Sequence, residues 1–239
     1  MTGLAARSFT GVLFDLDGTL VDTAADITSA LNCALSEQGL ARLSESEVRR
    51  MIGRGVTVLI ERALRQLAPA GTPLEAARLR AHYDEHYEAL YGRGELRARV
   101  YPGVAAGLAQ LHAAGLRLAV VTNKPRAAAV KLLGHLALAQ WFDAVVGGDA
   151  GLPPKPHPEP LLRACEELKV ARAAALMVGD SQVDVSAARA AGLPVVCVPY
   201  GYNEGADPRA LPADACIESL AELPGLIGAA SMRCAHAAR

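Results

Sequence analysis

Two aspartates, Asp15 and Asp17, come directly after the apolar run Gly11–Phe14, which predicts a buried strand. Two carboxylates at the end of a buried strand are costly unless a cation neutralises them. Mg²⁺ prefers carboxylate and carbonyl oxygens and would do so, and Gly18 lets the chain turn sharply beside it. The alternative is a surface turn that happens to carry two acids, and the pair alone does not decide between these interpretations.

Three further polar segments follow later apolar runs, at points where a strand is predicted to end. They are Thr122-Asn123-Lys124, Lys155 in a proline-rich loop, and Gly179-Asp180 with Asp184. Each has an ordinary explanation alone, since the first and third could cap the following helices and the lysine could be a solvated loop residue. Ligands of open α/β sheets bind at the carboxyl ends of the strands, so all four segments together predict one site at that edge.

The residue types at this edge predict phosphoryl transfer. Asp15 is the candidate nucleophile and could carry the phosphoryl group as an aspartyl-phosphate. Asp17 is the candidate general acid for the leaving alcohol and the base for the attacking water. Mg²⁺, Lys155 and backbone N–H groups would offset charge on the phosphoryl oxygens, and Asp180 would complete a metal site with the two aspartates. The candidate phosphate-binding residues are Leu16, Thr122, Asn123 and Lys155.

Short apolar runs alternate with helical patterns through most of the chain. Such runs are apolar on both faces, as in parallel strands covered by helices on both sides, and the alternation predicts an α/β fold with a doubly wound parallel sheet. The later predicted strands span residues 118–121, 144–146, 175–178 and 195–198. The predicted helices between them span residues 104–113, 127–136, 159–168 and 183–190.

The alternation stops between residues 23 and 99, where helical patterns occur without a strand signal. Ser44 followed by Glu47 predicts a capped helix start, and Gly53-Arg54-Gly55 predicts a break between helices. We therefore expect a helical cap domain of residues 23–99, inserted into a discontinuous core domain of residues 1–22 and 100–239.

Composition excludes several classes of protein. The 239 residues are 51% hydrophobic with a net charge of −1 and 4% aromatic residues, which argues against global disorder and against a dedicated nucleic-acid binder. No apolar run approaches the roughly 20 residues that span a bilayer, and no signal core is seen, so we expect no membrane association and a cytoplasmic location. The oligomeric state is left open. The cysteines show no metal-site spacing and are expected to be free thiols: Cys33, Cys165, Cys197, Cys216 and Cys234.

The four motifs in this order resemble the haloacid dehalogenase superfamily of phosphatases, over residues 11–205. The resemblance implies a Rossmann-like core with a helical cap between the first and second motifs. It also implies that Asp15 is nucleophile and Mg²⁺ ligand, and that Asp17 gives the metal its backbone carbonyl and acts as acid and base. Val183 departs from the asparagine expected before the last acid. Asp184 is then expected not to bind the metal directly but to orient metal-bound water or Lys155.

A narrower resemblance is to the bacterial members that hydrolyse 2-phosphoglycolate. It is carried by residues 52–56 (Ile-Gly-Arg-Gly-Val), 122–125, 155–158 and 199–203. It implies a small phosphate monoester as substrate, with Arg54 or the N–H groups beside Gly53 and Gly55 facing the substrate carboxylate. Arginine pairs well with carboxylates, although a solvated loop arginine is the ordinary alternative.

Three other functions remain open from the sequence: hydrolysis of another small phosphate monoester such as a sugar phosphate, a sugar phosphomutase, and a phospho-aspartate switch. A sugar phosphomutase would share both aspartates, whereas a dehalogenase would not need Asp17 and a phosphonate hydrolase would recruit a cap lysine, of which residues 23–90 contain none. A receiver-type phospho-aspartate switch would be shorter and would lack the inserted helices. Turnover of a generic aryl phosphate separates an enzyme from such a switch.

Overall fold

The computed structural model describes residues 3–4, 6–67 and 73–228 of the chain. Its strands are β1 (Gly11–Phe14), β2 (Val21–Asp22), β3 (Arg99–Val100), β4 (Arg117–Val121), β5 (Ala144–Val146), β6 (Ala175–Gly179), β7 (Val195–Cys197) and β8 (Ala215–Cys216). Its α-helices are α1 (Ala24–Glu37), α2 (Glu45–Arg49), α3 (Val56–Leu67), α4 (Pro73–Arg93), α5 (Val104–Ala113), α6 (Arg126–His135), α7 (Glu159–Leu168), α8 (Gln182–Ala191) and α9 (Leu223–Leu226).

Six of the described strands form one parallel sheet in the order β5-β4-β1-β6-β7-β8. The chain moves outward from β1 through β4 to β5, then returns to β6 on the other side of β1. The strand order therefore reverses between β1 and β6, and at such a switch point a crevice opens beyond the carboxyl ends of the strands. The predicted doubly wound α/β core is confirmed.

Both faces of the central strands are buried, which explains why they have continuous apolar sequences. Val12 and Phe14 of β1 join one apolar cluster with helix α5, whereas Leu13 points into a second cluster with helices α7 and α8. In register, Leu13 lies beside Ala119 of β4 and Met177 of β6, which belong to the same cluster. Helices cover each face, as the sequence pattern predicts.

The segment between β1 and β4 is helical, and its described helices have their own apolar core. Helices α1, α3 and α4 bury side chains such as Leu31, Ile60 and Leu79 against one another. The predicted helix start at Ser44 is present, since the Ser44 hydroxyl accepts from Glu47 N–H at 3.3 Å and Ser44 N–H donates to the Glu47 carboxylate at 2.8 Å.

Three described strands, β2, β3 and β8, were not predicted. The antiparallel pair β2–β3 aligns Val21 with Val100 and Asp22 with Arg99, so the chain enters and leaves the helical segment side by side. The boundaries predicted at residues 22/23 and 99/100 fall at this pair. Each of the three strands has only two residues, too few to show an alternating pattern.

Two findings bear on the expectations about membrane association and about the cysteines. Within the described ranges, no helix combines the length and the apolarity needed to cross a bilayer. Four cysteines are free thiols, as predicted: Cys33, Cys165, Cys197 and Cys216. The fifth, Cys234, lies outside the described residues.

Candidate active site

The switch point of the sheet gathers three carboxylates. Asp15 follows β1, Asp180 follows β6, and Asp184 lies in the first turn of α8. One oxygen from each lies within 4.8 Å of the others, and all three residues are buried. The sequence predicts Asp15, Asp17 and Asp180 as metal ligands and Asp184 as a residue that orients metal-bound water or Lys155. The structure brings the carboxylates of Asp15, Asp180 and Asp184 together.

Lys155 is fully buried and joins two of these acids. Its Nζ lies 2.9 Å from Oδ1 of Asp15 and 2.7 Å from Oδ1 of Asp184. The other oxygen of Asp184 accepts from the Ser181 hydroxyl at 2.7 Å and from Ser181 N–H at 3.2 Å. Asp184 is thereby fixed at the start of α8 and holds the lysine against Asp15.

Asp180 is held by two hydrogen bonds and by close backbone packing. Its carboxylate accepts from the Thr19 hydroxyl at 2.9 Å and from Tyr202 N–H at 2.7 Å. A Cβ added to Gly18, whose φ is +93°, would lie 2.6 Å from the Asp180 carboxylate, and one on Gly201 would lie 2.2 Å from the same side chain. Both loops need glycine to approach the acid this closely.

The cluster carries more negative charge than its one lysine offsets. Burial raises the pKa of Asp15 to about 7, although Lys155 acts in the opposite direction. Burial, followed by the charges of Asp184 and Asp15, raises the pKa of Asp180 to about 8. A divalent cation would relieve both groups, and a donor set made of carboxylate oxygens suits a hard cation. The three carboxylates therefore fit a metal ion.

The Asp17 side chain makes its hydrogen bonds outside the carboxylate cluster. Its Oδ1 accepts from the Thr23 hydroxyl at 2.6 Å and from Lys124 Nζ at 3.1 Å, and the residue lines a cavity beside Asp15. The Asp17 carboxylate is thus not among the gathered acids, which leaves its backbone carbonyl as the atom it could offer to a metal. Its carboxyl group instead contacts Thr23 and Lys124 beside the cavity that Asp15 also lines.

The predicted phosphate-binding residues lie around Asp15, but Leu16 and Asn123 have no side-chain group free to bind a phosphate. Thr122 lines the cavity. The Asn123 amide is engaged with other loops, donating to Gly53 O at 3.0 Å and to Lys155 O at 2.9 Å. The Leu16 side chain is packed in the core. Leu16 and Asn123 could therefore contact a phosphate only through backbone N–H groups.

The cavity lies between the carboxyl end of the sheet and the helical segment, with a volume of about 70 Å³. Its lining from the helical segment includes Ile27, Ile52, Gly53, Gly55, Val56, Leu59, Tyr83, Asp84 and Tyr87. Its lining from the core includes Asp15, Asp17, Thr122, Asn123, Lys124, Pro125 and Ala128. Gly55, with φ +83°, approaches so closely that a Cβ there would lie 2.9 Å from Asn123 O. The predicted glycine break does bring this loop down onto the core.

Arg54, between those glycines, does not line the cavity. Its Nε donates to Glu204 Oε1 at 2.7 Å, and Arg62 binds the same oxygen. Glu204 belongs to the loop after β7 and has a left-handed backbone (φ +53°). Its pairing with Arg54 could not be predicted from the sequence. In this structure the carboxylate partner of Arg54 is Glu204 of the core, whereas the backbone at Gly53 and Gly55 reaches the cavity. Recognition of a substrate carboxylate by Arg54 or by the neighbouring N–H groups stays a prediction.

Sequence reasoning missed three residues that shape the cavity. Lys124 was part of a quoted motif but received no role, and it is buried against Asp17. Tyr83 and Tyr87 of α4 line the opposite wall and stack with ring centroids 5.8 Å apart. Their i, i+4 spacing places them on one helix face, and that was the available signal.

Comparison with known proteins shows which family the chain resembles. Over residues 12–198 the chain matches the family of haloacid dehalogenase-like hydrolases. It is 49% identical to the plasmid-encoded phosphoglycolate phosphatase of Cupriavidus necator, covering 91% of this chain and 93% of that protein. It is 46% identical to the phosphoglycolate phosphatase of Nitrosospira multiformis, with 90% and 94% covered.

A solved structure gives the same result at the level of the fold. The crystal structure of a predicted phosphoglycolate phosphatase from Haemophilus somnus 129PT superposes with a TM-score of 0.85 at 32% identity, covering 91% of this chain and 97% of that one. The matched range includes Asp15, Thr122, Lys155 and Asp180, and with it the whole carboxylate cluster. The chain therefore belongs to the haloacid dehalogenase-like hydrolases.

Proposed function

We propose that this chain is a Mg²⁺-dependent phosphatase that hydrolyses 2-phosphoglycolate to glycolate and phosphate through an aspartyl-phosphate on Asp15. The observation that carries the proposal is the buried arrangement of Asp15, Asp180 and Asp184 with Lys155 Nζ 2.9 Å from the Asp15 carboxylate. The relatives named as phosphoglycolate phosphatases, at 46% and 49% identity, support the choice of substrate.

Asp15 attacks phosphorus in the first step. One of its carboxylate oxygens forms a bond to the phosphorus atom as the ester P–O bond breaks, and Asp17 donates its proton to the departing oxygen of glycolate. The Lys155 ammonium, beside Asp15, balances charge on the phosphoryl oxygens together with the Thr122 hydroxyl and the N–H groups of Leu16 and Asn123. Asp184 keeps that ammonium in place.

The second step returns the enzyme to its starting state. Asp17, now a carboxylate, takes a proton from water as the water oxygen bonds to phosphorus, and the bond between phosphorus and the Asp15 oxygen breaks. The Thr23 hydroxyl, 2.6 Å from Asp17, fixes the orientation of the acid through both steps.

Mg²⁺ is the proposed metal because the gathered donors are carboxylate oxygens. Asp15 and Asp180 would hold it, with the backbone carbonyl of Asp17. When bound, it would neutralise charge on the phosphoryl group and between the acids. The chain's own residues supply the nucleophile, the acid and base, and the lysine.

The test measures phosphate release from a panel of small monoesters containing 2-phosphoglycolate, sugar phosphates and an aryl phosphate, with Mg²⁺ and with chelator. We expect 2-phosphoglycolate to have the highest kcat/KM, and activity to disappear in chelator. Asp15→Asn, nearly isosteric but a poor nucleophile, is expected to be inactive while remaining folded. A preference for sugar phosphates would refute the named substrate, and activity of folded Asp15→Asn would refute the mechanism.

A further inference from the structure

Lys124 places a buried cation between the candidate acid and the helical segment. It directly follows the predicted phosphate-binding pair Thr122-Asn123, and only 8% of its surface is exposed. Its Nζ lies 3.1 Å from Oδ1 and 3.4 Å from Oδ2 of Asp17. On its other side the ammonium lies 4.8 Å from the ring centroid of Tyr87 in α4.

Lys124 is also the single positively charged residue among the described residues that line the cavity. The acids in the same lining are Asp15, Asp17 and Asp84. Lys155 is not in the lining and already serves Asp15 and Asp184. An anionic group that enters beyond the phosphate therefore meets one available cation, and it is Lys124.

The ammonium has hydrogen-bonding capacity left for such a group. A lysine ammonium has three N–H donors. Among the described residues, the acceptors recorded for Lys124 Nζ are the two oxygens of Asp17. Tyr87 presents its ring face to the ammonium, so that contact supplies no oxygen or nitrogen acceptor for the third N–H group. At least one donor can therefore reach a second carboxylate.

The distance from Asp17 selects a short substrate. If Asp17 protonates the ester oxygen, that oxygen lies within hydrogen-bond reach of its carboxyl group. In 2-phosphoglycolate a single methylene carbon separates the ester oxygen from the carboxylate. A lysine that contacts Asp17 at 3.1 Å is thus also beside the substrate carboxylate, whereas a longer substrate would carry its anionic group past Lys124.

The apolar lining of the cavity strengthens an ion pair between Lys124 and a substrate carboxylate. Apolar side chains of Ile27 and Leu59 and the rings of Tyr83 and Tyr87 line the same cavity. Removing water raises the strength of a charge–charge interaction, and a buried charge left without its partner is penalised. A substrate with a neutral group in place of the carboxylate would leave Lys124 without that additional partner.

We propose that Lys124 is the residue that binds the carboxylate of the substrate and sets the preference for a phosphate monoester with a carboxylate one carbon from the ester oxygen. The inference rests on the proposed function and adds to it the residue that binds the carboxylate end of the substrate. It assigns to the core loop a role that the sequence had given to Arg54.

The first experiment compares 2-phosphoglycolate with 2-hydroxyethyl phosphate, a neutral-ended monoester of similar size and leaving group. Lys124→Met should lower the ratio of the two kcat/KM values by about 10- to 150-fold, the loss expected for a charged hydrogen bond. Dividing one rate by the other cancels any effect that the substitution has on Asp17. Lys124→Gln is the second variant, for use if the methionine variant does not fold.

Lys131→Met is the matched control. Lys131 also lies over a tyrosine of α4, 4.4 Å from the Tyr91 centroid, and pairs with Glu88, but it is exposed and does not line the cavity. Its substitution should leave the ratio unchanged. An equal loss on both substrates in Lys124→Met would show that Lys124 acts only through Asp17 and would overturn the proposal.

A second experiment separates failure of this inference from failure of the proposed function. Glycolate is tested as a competitive inhibitor of aryl phosphate hydrolysis, which requires no turnover of 2-phosphoglycolate. Its inhibition constant should rise about 10-fold or more in Lys124→Met and stay constant in Lys131→Met. A wild-type enzyme that prefers sugar phosphates refutes the proposed substrate alone, whereas an unchanged inhibition constant, or no inhibition of the wild type, refutes the role of Lys124.

Discussion

Arg54 Nε donates to Glu204 Oε1 at 2.7 Å, joining a loop of the helical segment to the loop that follows β7. Glu204 also binds Arg62, so one carboxylate links two arginines of the helical segment. These three side chains are 23–39% exposed, which places the cluster at the surface. Beside it, Tyr202 packs into the apolar core of the helical segment, and its backbone N–H binds Asp180. The contact thus connects the helical segment with a candidate metal ligand.

Arg54→Ala is expected to reduce kcat/KM modestly and equally for 2-phosphoglycolate and an aryl phosphate. A partly exposed ion pair contributes up to about 1 kcal/mol, which limits the loss to roughly five-fold. Glu204→Gln should also affect both substrates equally, with a loss at least as large, because it removes the pair with Arg54 and the pair with Arg62. Steady-state kinetics on both substrates check this. A loss of ten-fold or more confined to 2-phosphoglycolate in Arg54→Ala would place the guanidinium on the substrate.

Asp17→Asn should lose activity according to the leaving group. The amide cannot protonate the departing oxygen, so alkyl phosphates should lose about 10²- to 10⁴-fold in kcat. An aryl phosphate has a better leaving group and should lose much less. Rates of phosphate release from an alkyl and an aryl ester, measured side by side, provide the comparison. Equal losses on both would remove Asp17 from the role of acid.

Much of the core could be predicted because its strands are buried on both faces. The bounds of β1, β5, α5 and α7 agree with the predicted ones, and Asp15 and Asp180 meet because parallel strands end at one edge. That part of the site follows from fold topology, which a pattern of apolar runs specifies.

The remainder depends on contacts between distant parts of the chain. Arg54 and Glu204 are 150 residues apart, and no periodicity indicates which carboxylate an exposed arginine will meet. Lys124 pairs with Asp17 across 107 residues, in a place that becomes visible only when β1 and β4 lie side by side. The strands β2 and β3 are defined by pairing with each other, because two residues carry no pattern of their own.

The metal-free protein should become less stable as pH rises. The pKa values of Asp15 and Asp180 are about 7 and about 8 in the folded protein, above the ordinary value of 3.8. Between about pH 4 and pH 8 the folded state therefore binds more protons than the unfolded state, and the contribution of these groups to the unfolding free energy falls with increasing pH.

Melting temperatures in chelator across that range check this expectation, and a decrease of a few degrees is the expected size. Asp180→Asn removes one of the two groups and should flatten the slope. Mg²⁺ should reverse the trend in the wild type, because it binds the ionised carboxylates and binds them better at higher pH. If the metal-free protein instead became more stable from pH 5 to pH 8, the raised pKa values of Asp15 and Asp180 would be contradicted.

Asp180→Asn should uncouple stability from Mg²⁺ without harming the fold. In chelator above pH 8 its melting temperature should equal or exceed that of the wild type, because at that pH the substitution removes a buried carboxylate close to Asp15 and Asp184. Mg²⁺ at 100 times its dissociation constant should stabilise the wild type by about 2.7 kcal/mol, and this gain should be largely lost in the variant.

Asp207→Asn is the control, since Asp207 is an exposed N-cap outside the cluster and asparagine caps equally well. Thermal unfolding with and without Mg²⁺ measures all three proteins. A full Mg²⁺ shift in Asp180→Asn would mean that the ion binds elsewhere, and a destabilised metal-free variant would mean that the hydrogen bonds from Thr19 and Tyr202 outweigh the repulsion among the acids.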